Sequence, residues 1–553
     1  MVERRMSYRG RVASAVVVAT ALALLGACGG SNTSSSSEAP AAVEEQQPTG
    51  TLPPIDGGSL VIGVQGDSTG WNTHISAPAH APAFMVSSML ESLAATGADG
   101  LPVPWLAVDW TPNDTLDVWE VDLRDDVTFQ NGEKFDAAAV VVNTMDAING
   151  PVSSQAIKGL ITDVAAVDSD TVTFTLSQSW AAFPNSFLSS ALSFQQAPSA
   201  LIAEDHGNKN PIGTGPFVFD EFVPGDHLTV KKNPTYWRDG QPHLDQIDFR
   251  IMTDTRSRAN ALESGDIDMM ITVSAKDAND LDGEYQVIRD WDTQPEMVVL
   301  NTSETSVGHP NPLNNVHARR ALAHATDRTA IAASVGEGIT SPSAPFSSAS
   351  PWGLPDDQTG YPTFDPDKAK EELASYTDDT GEPVLKFALL STPDIEALAI
   401  AQLLQSQWKE VGIEATIDTI ESGAYTGKVL SGSYNAAILA IYNAPDPDQD
   451  HYFWSSGTIG GDGGININLN QFSNPDVDAD LKIGRENANG DERKAAYDDL
   501  QRTLNENATN VWLYWTPYTL VADQRVHGLE QAEALPLANF QFKQWFGELW
   551  IEQ

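Results

Sequence analysis

The segment GSYNAAILAIYNAPDPDQDHYFW, residues 432–454, carries the densest set of groups able to do chemistry in this 553-residue chain. Asp446, Asp448 and Asp450 alternate as the first ligands of a calcium loop do, flanked by Tyr442, Asn443, His451, Tyr452 and Trp454. A calcium loop also needs a glycine at its sharp turn and a bidentate glutamate at its end. His451 stands at the first of those places and Gly457 at the second, which argues against calcium. What remains is a polar and aromatic wall. Asp446 could pair with a cation, and Asn443 could offer an uncharged amide or serve only as a turn residue beside Pro445. The rings of Tyr442, Tyr452 and Trp454 could line a binding surface or pack into a core.

Other reactive patterns fail on spacing. Gly427-Lys428 is followed by Val429, with the first glycine misplaced, so no phosphate loop is present, and no GxSxG elbow occurs. His317 and His324 are seven apart and share a helical face, but no carboxylate accompanies them on that stripe, so they read as surface or packing residues. Seventy-six acidic residues will form carboxylate pairs by chance, which leaves a surface hydrolase of the glycosidase kind as the alternative from another class.

The elements that must position this wall are α/β in pattern. Residues 436–441 read as a strand leading into it. Ahead of them, Ile400, Leu404, Trp408 and Val411 form an apolar helical stripe ended by Gly412, with Thr392-Pro393 as its start signal. Further on, residues 491–507 read as a helix, followed by strands over 511–515 and 518–522, the last expected to rejoin a sheet begun at 60–64. Earlier, Trp119, Val121 and Leu123 alternate as a half-buried strand, Asn131-Gly132 marks a turn, and Asp136 can cap the helix after it. A helix is expected over 83–93, another over 256–268 closed by Gly265, and one capped by Asn315 running through residues 316–335. Asp365 and Pro366 open a further helix.

The stretch 213–258 organises the rest. It reads as three strands, entered at Phe217, running through Val230, and ending at 247–251, with turns at Pro224-Gly225 and Asn233-Pro234. Gly213 and Gly215 are expected to supply backbone angles closed to other residues. Gly213-Thr214-Gly215-Pro216-Phe217, Asn233-Pro234-Thr235-Tyr236-Trp237 and Leu244-Asp245 together closely resemble the signature of the family 5 solute-binding proteins, the extracytoplasmic receptors of ABC importers for peptides, nickel and oligosaccharides. Residues 119–140, the ALESGDID step at 261–268 and residues 316–335 resemble further family patterns.

That resemblance implies a two-lobed fold of the periplasmic-binding-protein type, class II-like, with an extra third domain and a ligand cleft between the lobes. It implies lobe I from 57–93, 206–300 and 520–553, the extra domain at 94–205, and lobe II at 301–519. It places Trp71 and Asn72 at the mouth of the cleft, and residues 432–454 along one wall, with Tyr442, Asn443, Asp446 and Trp454 as candidate contacts. Peptide-binding members carry an aspartate four residues before the proline matched by Pro447, pairing with the ligand's ammonium; here that position is Asn443, and the usual Trp is Ala440. Counted forward from Gly432 the two positions become Ala444 and Ile441, so both family residues are missing in either register. Either Asp446 takes over, or the ligand presents no free amino terminus. The implied function is capture of a peptide or similar small polar solute for an ABC permease, by a monomer that needs no cofactor and makes or breaks no bond. A nickel-binding member, with His74 and His451 as imidazoles near the cleft, and an oligosaccharide-binding member are the other options within the family.

The N-terminus fits that setting. Arg4, Arg5, Arg9 and Arg11 precede an apolar run over 12–25, too short for a comfortable membrane span, and residues 1–27 read as a signal peptide. Leu25-Gly26-Ala27-Cys28 resembles the bacterial lipobox, which implies a lipid on Cys28 and a location at the outer face of the cell membrane. Residues 28–56, rich in Ser, Pro and Glu, read as a disordered tether. Cys28 is the chain's single cysteine, so no disulfide framework exists. Net charge is −45, and removing residues 1–27 leaves 27 basic against 75 acidic residues, a surface that repels nucleic acid.

Overall fold

A computed structural model describes residues 53–76, 80–151, 153–441, 444–460, 465–529, 534–535 and 544–553. Residues 54–553 form one compact unit. Residues 1–52, with Cys28 and the expected signal segment and most of the tether, lie outside the described residues, as do Tyr442 and Asn443.

Alternating apolar residues build two main sheets. The seven-stranded sheet runs in the order Gln286–Asp290, Tyr518–Ala522, Met269–Thr272, Ser59–Val64, Gln246–Ile251, His227–Lys232, Phe217–Val223. Leu60, Ile62, Val64, Ile247 and Phe249 are fully buried in one of its cores, as the period of two requires. The five-stranded sheet runs Glu414–Thr419, Lys386–Ser391, Ala436–Ala440, Pro295–Leu300, Asn510–Trp515. The strand Tyr518–Ala522 does return to the sheet of Ser59–Val64, separated from it by Met269–Thr272. A four-stranded antiparallel sheet between residues 107 and 176 packs with the helix Ala137–Asn149 around a third core.

The chain crosses between the two main sheets at residues 291–294 and again at 516–517, and Thr516 N donates to Gln294 O at 2.9 Å, binding the crossings together. Sheet pairing therefore assigns Pro295–Leu300 to the five-stranded sheet and Tyr518–Ala522 to the seven-stranded one, earlier in the chain than the expected passages at 300 and 519. The three-stranded sheet that joins Ala94–Gly97 to Ala534–Leu535 draws the C-terminal region onto the 94–205 unit.

Local capping explains where expectation and structure part. The expected single helix over 316–335 breaks into Val316–Ala325 and Arg328–Val335, because Thr326 is extended and the Asp327 carboxylate accepts from Ala330 N, starting a new helix. Asp394, not Thr392, caps Ile395–Glu410, accepting from Glu396 N and Ala397 N. The helix expected over 83–93 is His80–Val86, followed by turns. Asp136, Asn315 and Asp365 cap as expected, and Gly265 ends its helix with a φ of 77°.

Gly213 and Gly215 are required for space and not for backbone angle. A Cβ on either would collide with the Met89 backbone, and neither has a positive φ. Gly215 N donates to Met89 O at 3.0 Å, and Gln130 ties the same backbone in place, accepting from Gly213 N and donating to Phe217 O. The NPTYW turn meets this anchor from the other side. Tyr236 Oη and Trp105 Nε1 donate to one oxygen of the fully buried Glu91 carboxylate, at 2.7 and 2.9 Å, and Trp237 Nε1 donates to the other at 3.1 Å. Burial pushes the Glu91 pKa up, and these donors offset part of that rise. Replacing Glu91 by Leu strands three buried donors, so urea unfolding should show a loss of roughly 3 kcal/mol or more; a loss under about 0.5 kcal/mol would remove Glu91 from this role.

Candidate functional site

In open α/β sheets, ligands bind beyond the carboxyl ends of parallel strands. In the five-stranded sheet Lys386–Ser391 runs parallel to both Glu414–Thr419 and Ala436–Ala440, so their shared carboxyl edge leads into residues 392–394 and, among the described residues of the wall, 441 and 444–446. Pro295–Leu300 is antiparallel to Ala436–Ala440 and so begins at that same edge, directly after the crossing at 291–294. The wall segment thus sits where the five-stranded sheet meets the crossings to the other sheet. Thr293 Oγ1 and Thr516 Oγ1, one on each crossing, and Gln65 Oε1, just past the end of Ser59–Val64, are enclosed polar atoms with no hydrogen-bond partner.

Beyond residue 444 the wall is fixed by two buried ion pairs. The Asp448 carboxylate takes Arg485 Nε at 2.7 Å on one oxygen, and Trp180 Nε1 and Ser186 Oγ, each at 2.6 Å, on the other. Arg485 Cζ lies 5.1 Å from the Trp180 ring, Gln449 donates to Asn185 O, and Ala181 N donates to Arg485 O at 2.8 Å. These bonds clamp the wall and the helix Pro475–Glu486 onto the segment after the four-stranded sheet. Burial alone would raise the Asp448 pKa, but Arg485, His451 and Ser186 hold it below the usual carboxylate range. Asp446 pairs with Arg493 at 2.6 Å and accepts from Asp448 N at 3.0 Å; burial outweighs Arg493 and leaves its pKa raised. Its other oxygen is enclosed without a partner. Asp450 accepts from Ala444 N at 3.0 Å, and burial pushes its pKa well up.

One carboxylate at this edge went unread in the sequence. Glu296 lies opposite Ala440 on one neighbouring strand and Tyr514 on the other, half-buried, with no hydrogen bond or ion pair from its side chain to any described residue. Burial lifts its pKa to about 7. The signal was present: Glu296, Val298 and Leu300 alternate, the latter two fully buried, so a charge shares a strand face with core residues.

The residues singled out in the sequence fall in separate places. Trp71, 1 % exposed, packs edge-on against Phe222 at 5.1 Å, and its backbone N–H donates to Asn208 O. Asn72 is fully buried, donating to His206 O at 2.8 Å and Asp146 Oδ2 at 3.2 Å and accepting from His74 N. Both bind their loop to residues 205–222, and neither shares a partner with Asp446 or Asp448. Trp454, 3 % exposed, belongs to the core with Val299, Tyr434 and Trp512, its Nε1 unpartnered. Asp446 is committed to Arg493, as above. His74 Nδ1 lies 2.9 Å from Asp146 Oδ2, whereas His451 faces Asp448, Arg485 and Asp478, so the two imidazoles have no common neighbour. His317 meets a carboxylate from outside its own helix: Glu372 reaches it at 2.6 Å from the helix Pro366–Thr380, which the seven-residue spacing could not reveal. His324 Nδ1 meets Thr363 O at 2.7 Å. No group of three or more His, Cys, Asp or Glu able to hold a metal occurs among the described residues.

Comparison with known proteins agrees on the kind of molecule. The family described as "Bacterial extracellular solute-binding proteins, family 5 Middle" matches residues 102–462. The nickel-binding periplasmic protein of Escherichia coli K12 is 26% identical over 456 residues, 77% of this chain and 83% of that protein. The glutathione-binding protein GsiB of Salmonella paratyphi A is 27% identical over 418 residues, 72% of this chain and 77% of its own length. The periplasmic binding protein DppA of Helicobacter pylori, solved with the peptide STSA, superposes with a TM-score of 0.76 at 22% identity, covering 90% of this chain and 99% of that one. The fold is the two-lobed α/β architecture of periplasmic binding proteins. No described helix is long and apolar enough to cross a membrane.

Two outcomes follow from the clamp. Asp448→Ala leaves Arg485 buried without its carboxylate and should cost about 3–5 kcal/mol in denaturant unfolding. His451 is held neutral, its pKa lowered to about 4 by burial and by Arg485. The unfolded chain therefore binds the extra proton, and stability falls as pH drops from about 6.5 to about 4. His451→Asn should flatten melting temperature against pH in that window; an unchanged slope would contradict it.

Proposed function

Because the chain belongs to the bacterial extracellular solute-binding proteins of family 5, we propose that it is the substrate-binding component of an ABC importer, capturing a peptide or similar small polar solute. The carrying observation is the pair of short crossings, 291–294 and 516–517, beside the wall at 441–446. Two main sheets that the described chain joins at these crossings and clamps at other points by side chains suit hinged closure over a ligand. In this reading Tyr442 and Asn443 contact the solute, Asp446 and Asp448 hold the wall in shape, and Trp71 and Asn72 fix the loop at the mouth. The relatives bind nickel, glutathione and a peptide, and this chain's ligand falls in that range of small polar solutes. The protein acts as a monomer, lipid-anchored through Cys28 on the extracytoplasmic face, and hands its solute to permease subunits.

Incubating the full chain with pools of short peptides, oligosaccharides and nickel–histidine complexes should raise the melting temperature for members of one pool, since a ligand bound only by the folded state stabilises it. Mass spectrometry of the same incubations should recover that ligand intact. Cleaved products would identify the hydrolase instead, and silence across all pools would overturn the receptor reading. Separately, Cys28→Ala should move the protein from the membrane fraction to the soluble one, because the tether after it has no apolar anchor of its own. A mutant that stays with the membrane would refute the lipid attachment.

A further inference from the structure

We infer, resting on the receptor reading above, that Glu296 is the group that receives the ammonium of the captured solute. It stands at the carboxyl edge of the five-stranded sheet, two residues past a crossing and opposite Ala440, the last residue of the strand that leads into the wall. It is half-buried yet bound to nothing described, whereas the other carboxylates of this region, Asp446, Asp448 and Asp450, each accept hydrogen bonds.

Its surroundings favour a cation. The titratable groups that feel it are Tyr425, from the helix Ser422–Leu430, and Tyr514, from the neighbouring strand, and Tyr514 also feels Asp394 and Glu396 at the start of Ile395–Glu410. None is basic. Tyr425 spends its hydroxyl hydrogen on Ile438 O, so it has no donor left for Glu296. Glu396 in turn feels Asp277, from the helix Ala275–Leu281 that packs on the seven-stranded sheet, where Arg256 Nη1 already meets the Asp277 carboxylate at 3.0 Å. An ammonium arriving here would find the Glu296 carboxylate with no described basic side chain paired to it. Asn443 carries no charge. Glu296 supplies from an adjacent strand the negative group that an ammonium needs, and its pKa of about 7 makes capture sensitive to pH. Binding strengthens as Glu296 ionises, so affinity rises with pH up to the point where the solute's own amine, near 8, loses its proton.

The test uses the full chain, a tripeptide library without Lys, Arg or His, and an N-acetylated copy of that library. Wild type should retain members of the free library and not their acetylated counterparts. Glu296→Gln should weaken that binding at least tenfold, Glu296→Asp less, and the rise in affinity between pH 5.5 and 7.5 should vanish in Glu296→Gln. Equal retention of acetylated and free peptides, or an unaltered affinity in Glu296→Gln, overturns the inference while leaving a receptor. Retention of neutral oligosaccharides alone does the same, and retention of nothing overturns both. A further measurement needs no ligand. An unpaired carboxylate in the free protein predicts that Glu296→Gln melts at or above wild type at pH 8 and matches it near pH 4.5; a mutant that melts lower at pH 8 shows Glu296 already paired, and the inference fails.

Discussion

A carboxylate taken out of water must be met by donors or give up its charge, and the interior of this protein is arranged around that constraint. Glu91 is met by Trp105, Tyr236 and Trp237, which draw the NPTYW turn and the start of the four-stranded sheet against the Met89 backbone. Asp448 is met by Arg485, Trp180 and Ser186, which bring residues from three distant parts of the chain to one point. Each cluster sets the position of a segment that no regular sheet or helix would hold. Buried ion pairs contribute little net stability against an apolar replacement, but removing one partner is costly, so such clusters fix geometry more than they add energy.

Glu296 departs from this arrangement. It occupies the edge where the two sheets are linked by two short crossings, and it has no donor in the described protein. Together with the enclosed hydroxyls of Thr293 and Thr516, it leaves the region beside the crossings rich in acceptors and poor in internal partners. An enclosed surface of that kind is suited to a polar guest. The same crossings are held to each other by the Thr516–Gln294 bond, and among the described residues no strand pairing joins the two main sheets.

Much of the framework was legible in the sequence because it depends on local rules. Caps at Asp136, Asn315 and Asp365, the αL glycine at 265 and the alternation at 119–123 are each set within a few residues. The signature stretch 213–251 also read correctly as three strands, although the reason for Gly213 and Gly215 was steric contact with Met89, more than a hundred residues away. What was not legible came from such distant partners. The Glu91 hub, the Arg485 and Arg493 pairs and the Glu372–His317 contact each join segments whose spacing carries no pattern. Trp71 and Asn72, placed at the mouth of the cleft by the family resemblance, and Trp454 on its wall are buried side chains, a property that their spacing does not reveal. Glu296 escaped notice because its place at the sheet edge is set by its neighbours Ala440 and Tyr514, more than a hundred residues away in the chain.

The central claim is that the two sheets close over a solute by turning about residues 291–294 and 516–517. Small-angle X-ray scattering of the purified full chain, with and without a solute it retains, tests this most directly. The account predicts a smaller radius of gyration when the solute is bound, with the change abolished by a disulfide engineered across the two sheets. Identical scattering curves for the free and fully loaded protein would contradict it.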